Sequence, residues 1–206
     1  MSAHTATSRY SVRMDAHADD TQNRSDEELF LAYTVGDAAA FESVYRRHKD
    51  RLYRFVYRQL NGSAAVDEIF QDVWTRVIRA RADFRKDGVF ITWLYSIARN
   101  RLIDHFRADG RRRDVFVEDE EDESQHADFG ERGPQALAIN AELAQRLKEL
   151  IGDLPPPQQE VFLLKEEAGL SVQQIATVTG CDPETAKSRL RYAINKLRKH
   201  LLEDHG

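Results

Sequence analysis

The chain has 206 residues, with 30 Lys and Arg against 35 Asp and Glu, a formal net charge of −5, and that length fits one or two domains. Hydrophobic residues make up 41% and charged residues 32%, enough for packed cores under solvated helical surfaces, while ten Gly and five Pro are too few for a loop-rich all-β chain. One cysteine, Cys181, excludes an intrachain disulfide framework and a multi-Cys zinc site, and no apolar run approaches the ~18–20 residues of a membrane span.

The start of the chain lacks the apolar stretch of a signal peptide. With the lone thiol, this fits a cytoplasmic protein with no membrane insertion. The charge is unevenly laid out. Residues 1–24 have almost no apolar periodicity and read as a disordered leader. Residues 25–113 carry 17 basic and 13 acidic groups, whereas 114–136 carry nine acidic and one basic, including the run Glu118 to Glu123. Residues 137–206 are nearly balanced, with nine basic and ten acidic. A dense charge block between two patterned segments is the signature of an extended linker. The expectation is an all-α chain of two small helical domains joined by an acidic flexible linker. Domains of this size have little room for a deep substrate cleft.

In the first segment, Ser25 and Glu28 have capping-box spacing ahead of Leu29 and Phe30. Gly36-Asp37 closes that helix. A longer one carries Phe41, Val44, His48, Leu52, Phe55 and Val56 at spacings of three and four. Asn61-Gly62-Ser63 forms a turn. The third helix, Ala65 to Ala80, places Ile69, Val73, Val77 and Ala80 on one stripe and Asp67, Glu68, Gln71 and Asp72 on a polar face. An irregular stretch, Asp83 to Val89, leads into a fourth helix, Phe90 to Arg107. That helix mixes Phe90, Trp93, Leu94, Tyr95, Ile97, Leu102 and Phe106 with Arg99, Asn100, Arg101 and Arg107. Two readings fit it. Rings beside a cationic track suit unpaired nucleic acid, the cations following phosphates and the rings stacking on bases. Equally, the rings are core and the arginines a solvated face.

In the second segment, Leu137 to Ile151 is amphipathic. Pro155-Pro156-Pro157 stops it and starts a helix through Val161 to Leu164. Ser171 with Gln174 caps a short helix, Thr179-Gly180-Cys181 turns, and Asp182-Pro183 opens a last helix, Thr185 to Leu202. Short helix, tight turn and longer basic helix make the plan of a helix-turn-helix, with a plain helical hairpin as the alternative.

Two blocks resemble one family, the bacterial sigma factors, and within it the short extracytoplasmic-function (ECF) type. "AVDEIFQDVWTRVI" (65–78) resembles the acidic helix that docks on core RNA polymerase, and "FITWLYSIARNRLIDHFR" (90–107) resembles the promoter-melting helix that reads the −10 element. "LPPPQQEVFLLKEEAGLSVQQIATVTGCDPETAKSRLRYAINKLRKHL" (154–201) resembles the −35-binding domain. The resemblance implies a polymerase docking set of Asp67, Glu68, Ile69, Gln71, Asp72 and Trp74, the two apolar residues supporting or contacting. It implies a −10 set of Asp83, Arg85, Lys86, Trp93, Tyr95, Arg99, Asn100, Arg101 and Arg107, the loop holding a flipped base. It implies a −35 set of Ser171, Gln174, Thr185, Lys187, Ser188, Arg189, Arg191 and Tyr192 in the major groove. Tyr192 and Ile194 depart from the basic residues common late in that helix. Also implied are core RNA polymerase, promoter DNA and an anti-sigma protein as partners, with no cofactor, metal or enzymatic activity.

Two other readings stand beside it. A helix-turn-helix regulator binding duplex operators without polymerase would explain 171–200 but leaves 65–78 and 90–107 without purpose. A helical nuclease would gather Asp67, Glu68, Asp72 and His105 as metal ligands. Asp67 and Asp72 are five apart, however, and do not share a helix face.

Overall fold

The computed structural model describes residues 23–85, 88–110 and 141–203. The leader, Lys86, the linker 114–136 and residues 137–140 therefore lie outside the described residues, apart from the leader's last two. Within them the chain is helical, with eight α-helices and one 3-10 turn and no strand.

Helix α1 (Asp26–Thr34) opens on the capping box read from the sequence. Ser25 Oγ accepts from the Glu28 amide at 3.1 Å and Glu28 Oε2 accepts from the Ser25 amide at 2.8 Å. A cap of this kind contributes about 1 kcal/mol. Leu29 and Phe30 are fully buried. Helix α2 (Ala38–Gln59) begins at Asp37, whose Oδ1 accepts from the Ala40 amide at 3.0 Å, and buries Val44, His48, Leu52, Phe55 and Val56. It ends in a left-handed turn, Asn61 (φ 50°) and Gly62 (φ 70°). The left-handed dihedral angle favours glycine at residue 62, where a Cβ would also stand 2.8 Å from Tyr57 Oη and push that side chain aside.

Helix α3 (Val66–Arg79) buries Ile69, Val73 and Val77 along the expected stripe, while Ala80 falls in the 3-10 turn that follows (Ala80–Asp83) and is half-buried. Helix α4 (Phe90–Ala108) inserts Phe90, Leu94, Tyr95, Ala98, Leu102 and Phe106 between α1, α2 and α3. Its first turn is held by aromatic contacts. The Phe30 ring lies 5.1 Å from Phe84, 4.8 Å from Phe90 and 5.2 Å from Trp93. Each such pair adds about 0.5–1.5 kcal/mol beyond area burial.

The second domain comprises α5 (Ala141–Gly152), α6 (Pro156–Glu166), α7 (Val172–Thr179) and α8 (Pro183–Glu203). Leu150, Ile151, Leu154, Val161, Leu163, Leu164 and Leu170 form its core. Gln159 is almost fully buried, and its amide donates to the Ile151 carbonyl at 3.0 Å, tying the end of α5 to the start of α6.

The two domains pack on each other. Helix α4 lies against α7, and α2 against α5 and α6. The seam carries ion pairs as well as apolar contact: Arg99 with Glu160 at 2.9 Å, and Arg54 and Arg58 with Glu167 at 2.8 and 2.7 Å.

Candidate nucleic-acid interface

The helix-turn-helix is α7, a three-residue turn and α8. Ser171 and Gln174 cap α7 reciprocally: the Gln174 amide donates to Ser171 Oγ at 3.3 Å and the Ser171 amide to Gln174 Oε1 at 2.8 Å. Gly180 takes the left-handed conformation (φ 72°), and its amide returns to the Ala176 carbonyl at 2.9 Å. Thr179 Oγ1 and the half-buried Cys181 Sγ lie 3.2 Å apart inside the turn. Asp182 then starts α8, accepting from the Thr185 amide at 2.9 Å and from its hydroxyl at 2.7 Å. The bonds from Thr185, its side chain first, hold the Asp182 carboxyl below its usual value.

Ala186, Ala193 and Leu197 bury one face of α8. Lys187 is exposed, Ser188, Arg191 and Tyr192 are half-buried away from that face, and Arg189 is half-buried at its edge. Lys187 and Arg191 are four apart and share a side of the helix. The Arg191 guanidinium lies 5.1 Å from the Tyr192 ring centroid, so the tyrosine shapes the arginine's position. Thr185 is occupied in the cap. The same is true of the capping atoms of Ser171 and Gln174, and Gln174 also faces the first domain across a cavity.

The residues expected at the −10 element divide sharply. Asp83, Arg85, Asn100 and Arg107 are exposed. Trp93 is half-buried, its ring packed on Phe30 and Phe84. Tyr95 is fully buried, with its ring 5.2 Å from Phe55, and burial pushes its phenol far above the usual value. It is core, not a strand contact in this conformation. Arg99 and Arg101 are also withdrawn, with 15% and 12% of their side chains exposed. Arg101 donates to Asp72 Oδ2 at 2.8 Å and to Glu68 Oε1 at 3.3 Å, so it belongs to the acidic face of α3. A cavity of about 430 Å³ lies between the domains, lined by Phe84, Arg85, Thr92 and Trp93 on one side and Gln173, Gln174 and Thr177 on the other.

On that acidic face Asp67, Glu68 and Gln71 are exposed and Asp72 is half-buried. Ile69 is fully buried and Trp74 is 5% exposed, its ring between Tyr45 at 4.8 Å and Phe41 at 5.9 Å. Both lie beneath the face. Ile69 already stood on the apolar stripe with Val73 and Val77, which was the available signal. Sequence reasoning missed Tyr53, which donates to Asp67 Oδ1 at 3.0 Å, and that hydrogen bond raises the Tyr53 phenol. It also missed Arg51, Arg54 and Arg58, whose three- and four-residue spacing on α2 was visible. Among the described residues no cluster of His, Cys, Asp and Glu could hold a metal ion, and no helix is long and apolar enough to cross a membrane.

Comparison with known proteins gives this geometry a family. Residues 44–112 match the model of Sigma-70 region 2, and residues 144–197 match that of Sigma-70, region 4. The RNA polymerase sigma-H factor of Pseudomonas aeruginosa is 31% identical over 186 residues, covering 87% of this chain and 96% of that protein. The ECF RNA polymerase sigma-E factor of Escherichia coli K12 is 32% identical over 174 residues, covering 82% and 91%. The solved structure of CnrH in complex with the cytosolic domain of CnrY superposes with a TM-score of 0.64 at 25% identity, covering 87% of this chain and 98% of that one. The fold and the two matched regions are those of a sigma-70 factor. The chain belongs to the extracytoplasmic-function group of that family, alternative sigma factors that bind core RNA polymerase and direct it to promoters.

Proposed function

We propose that residues 25–113 and 137–206 divide this work between them, joined by the acidic linker 114–136. In the first unit, Asp67, Glu68, Gln71 and Asp72 dock on core polymerase by charge and hydrogen bonding, with Ile69 and Trp74 holding the helix beneath them. The loop from Asp83, with Arg85 and Lys86, takes the flipped base of the −10 element, and Trp93, Arg99, Asn100 and Arg107 follow the melted strand. Unstacking that base costs a few kcal/mol, which interactions with ring faces and phosphates offset.

In the second unit, Lys187, Ser188, Arg189 and Arg191 meet base edges and phosphates of the −35 duplex, with Tyr192 at the rim. Ser171, Gln174 and Thr185 act through the caps that aim α8. The observation that carries this reading is the capped pair of helices α7 and α8, with a basic outer face on α8 and Ala186 and Ala193 seated in the core. The chain supplies specificity and not chemistry: it works as a non-enzymatic subunit, in the cytoplasm, where its polymerase is. An anti-sigma protein that covers the same surfaces is a further expected partner.

The experiment is transcription in vitro with core RNA polymerase, with and without this chain, on DNA from upstream of its own gene. A discrete transcript that depends on the chain is expected. Failure of the chain to associate with core polymerase would refute the reading.

A further inference from the structure

The loop proposed above to hold the flipped base runs from Asp83 to Val89, and α1 grips the chain on both sides of it. Glu27, Phe30 and Tyr33 follow one another along α1 at three-residue spacing, so neighbours in the series share a side of the helix. Tyr33 meets the approach to the loop. The Arg81 guanidinium lies 5.6 Å from its ring centroid and donates to its hydroxyl at 3.5 Å. Phe30 takes both ends at once, its ring 5.1 Å from Phe84 and 4.8 Å from Phe90. Half-buried Glu27 fixes the exit, its Oε1 accepting from the Phe90 amide at 2.9 Å.

That last bond fills a gap. The first amides of a helix have no partner within it. Helix α4 carries no acidic residue in its first turn, and Val89 offers no side-chain cap. A carboxylate suits such a terminus both by hydrogen bonding and by charge. Inside the loop the Gly88 amide donates to the Arg85 carbonyl at 2.9 Å and closes a turn. A turn fixes its own shape but not its orientation to the helix that follows, and the bond from Glu27 supplies that orientation. Asp26, next in the chain, is bonded to Arg47 and His48, which fixes α1 on α2.

We infer that Glu27 is a positioning residue for base capture: through the Phe90 amide, and with Phe30 beside it, it holds the loop in the form that receives the flipped base. The inference rests on the base-holding role proposed above and adds to it a side chain outside both proposed contact sets. A loop that without this bond kept the receptive form one time in ten would bind roughly tenfold less tightly.

The test measures binding of the holoenzyme, core polymerase with the full-length chain, to promoter DNA from upstream of the chain's own gene whose −10 segment is opened by mismatches. In a parallel series each −10 base in turn is replaced by an abasic sugar. For the parent, one abasic position should cost affinity, and it marks the captured base. Glu27→Ala should bind the opened promoter roughly tenfold less tightly than the parent, yet equal the parent on DNA abasic at that position, so that the two losses do not add. Glu27→Gln keeps an oxygen that accepts from the amide and should stay within about twofold of the parent. Ser25→Ala removes the cap of α1 itself, without touching α4, and should leave the abasic cost at its parental size. Equal losses on Glu27→Ala with and without the base would overturn the inference, as would a Ser25→Ala variant that reproduces the Glu27→Ala result. If no abasic position costs the parent anything, base capture by this loop falls and the inference falls with it. Association with core polymerase should be the same in all three variants, and a loss confined to Glu27→Ala would make Glu27 a docking residue instead.

Discussion

Replacing Tyr95 by phenylalanine tests how α4 divides its rings between core and surface. Tyr95 is fully buried, packs edge-on to Phe55 at 5.2 Å, and its hydroxyl has no hydrogen-bond partner among the described residues. Burying a hydroxyl without a partner costs about 1–3 kcal/mol. The substitution removes that oxygen and leaves the ring, so no cavity opens. The expected result is a gain of about 1–2 kcal/mol, whereas Tyr95→Ala, which deletes the ring, should lose about 3–5 kcal/mol. Urea unfolding followed by circular dichroism reads both, and an unchanged denaturant slope for the phenylalanine variant confirms that only stability moved. Transcription from a melted-bubble template should be unaltered. A loss of stability above about 1 kcal/mol on Tyr95→Phe would show that the hydroxyl is satisfied, and a loss of melting activity at intact stability would put it on the DNA. The first result would refute only the unpartnered hydroxyl, and the second would refute the assignment to the core.

Arg101→Ala should destabilise the chain by about 1 kcal/mol, because its pairs are with half-exposed Asp72 and exposed Glu68 and the lost stem packing adds to them. A cycle with Asp72→Asn should give a coupling of a few tenths of a kcal/mol or more, and zero coupling would return Arg101 to the strand-contact set. Asp26 responds to pH. Burial raises its carboxyl, but the hydrogen bonds from His48 at 2.6 Å and Arg47 at 2.8 Å together bring it below 3.8. Its contribution is therefore full above that value and lost as pH falls through the lower, folded one. Asp26→Asn should lower stability at pH 7 and flatten its decline towards pH 3, so equal slopes in an acid titration would contradict the sign. Arg189→Ala should weaken promoter binding by roughly 1–3 kcal/mol if it makes a bidentate base contact, read as lost discrimination at one −35 position. An unchanged −35 preference would remove it.

What the sequence disclosed was whatever depends on near neighbours along the chain. Ser25 with Glu28, Ser171 with Gln174 and Asp182 ahead of Pro183 each announce a helix start, because a cap needs only residues three apart. The apolar stripe of α3 was equally plain, since period and burial coincide there. Helix α4 was not so legible. It has more rings than one stripe needs, and which of them turn inward depends on α1, α2 and α3 packing around it from three sides. Trp93 keeps part of its surface and Tyr95 none, though they are two residues apart. The partners of Arg101, Arg99 and Arg54 lie 29, 61 and 113 residues away, distances at which no periodicity carries information. Those pairings decide which cations are available to a ligand, and only the assembled fold reveals them.

Helix α4 has no side-chain cap of its own at Val89. The amide of Phe90 instead donates to Glu27 Oε1 at 2.9 Å, a bond contributed by α1 from 63 residues upstream. With Phe30 wedged among Phe84, Phe90 and Trp93, this makes α1 the hinge plate on which the helix proposed to follow melted DNA is mounted. The segment shared with the family's region 2 begins only at residue 44 and leaves that plate out. A fragment cut at that border would keep every residue proposed to touch DNA or polymerase. It would lose the part that sets the pitch at which α4 leaves its loop, so the boundary of recognisable similarity and the boundary of mechanical independence fall in different places.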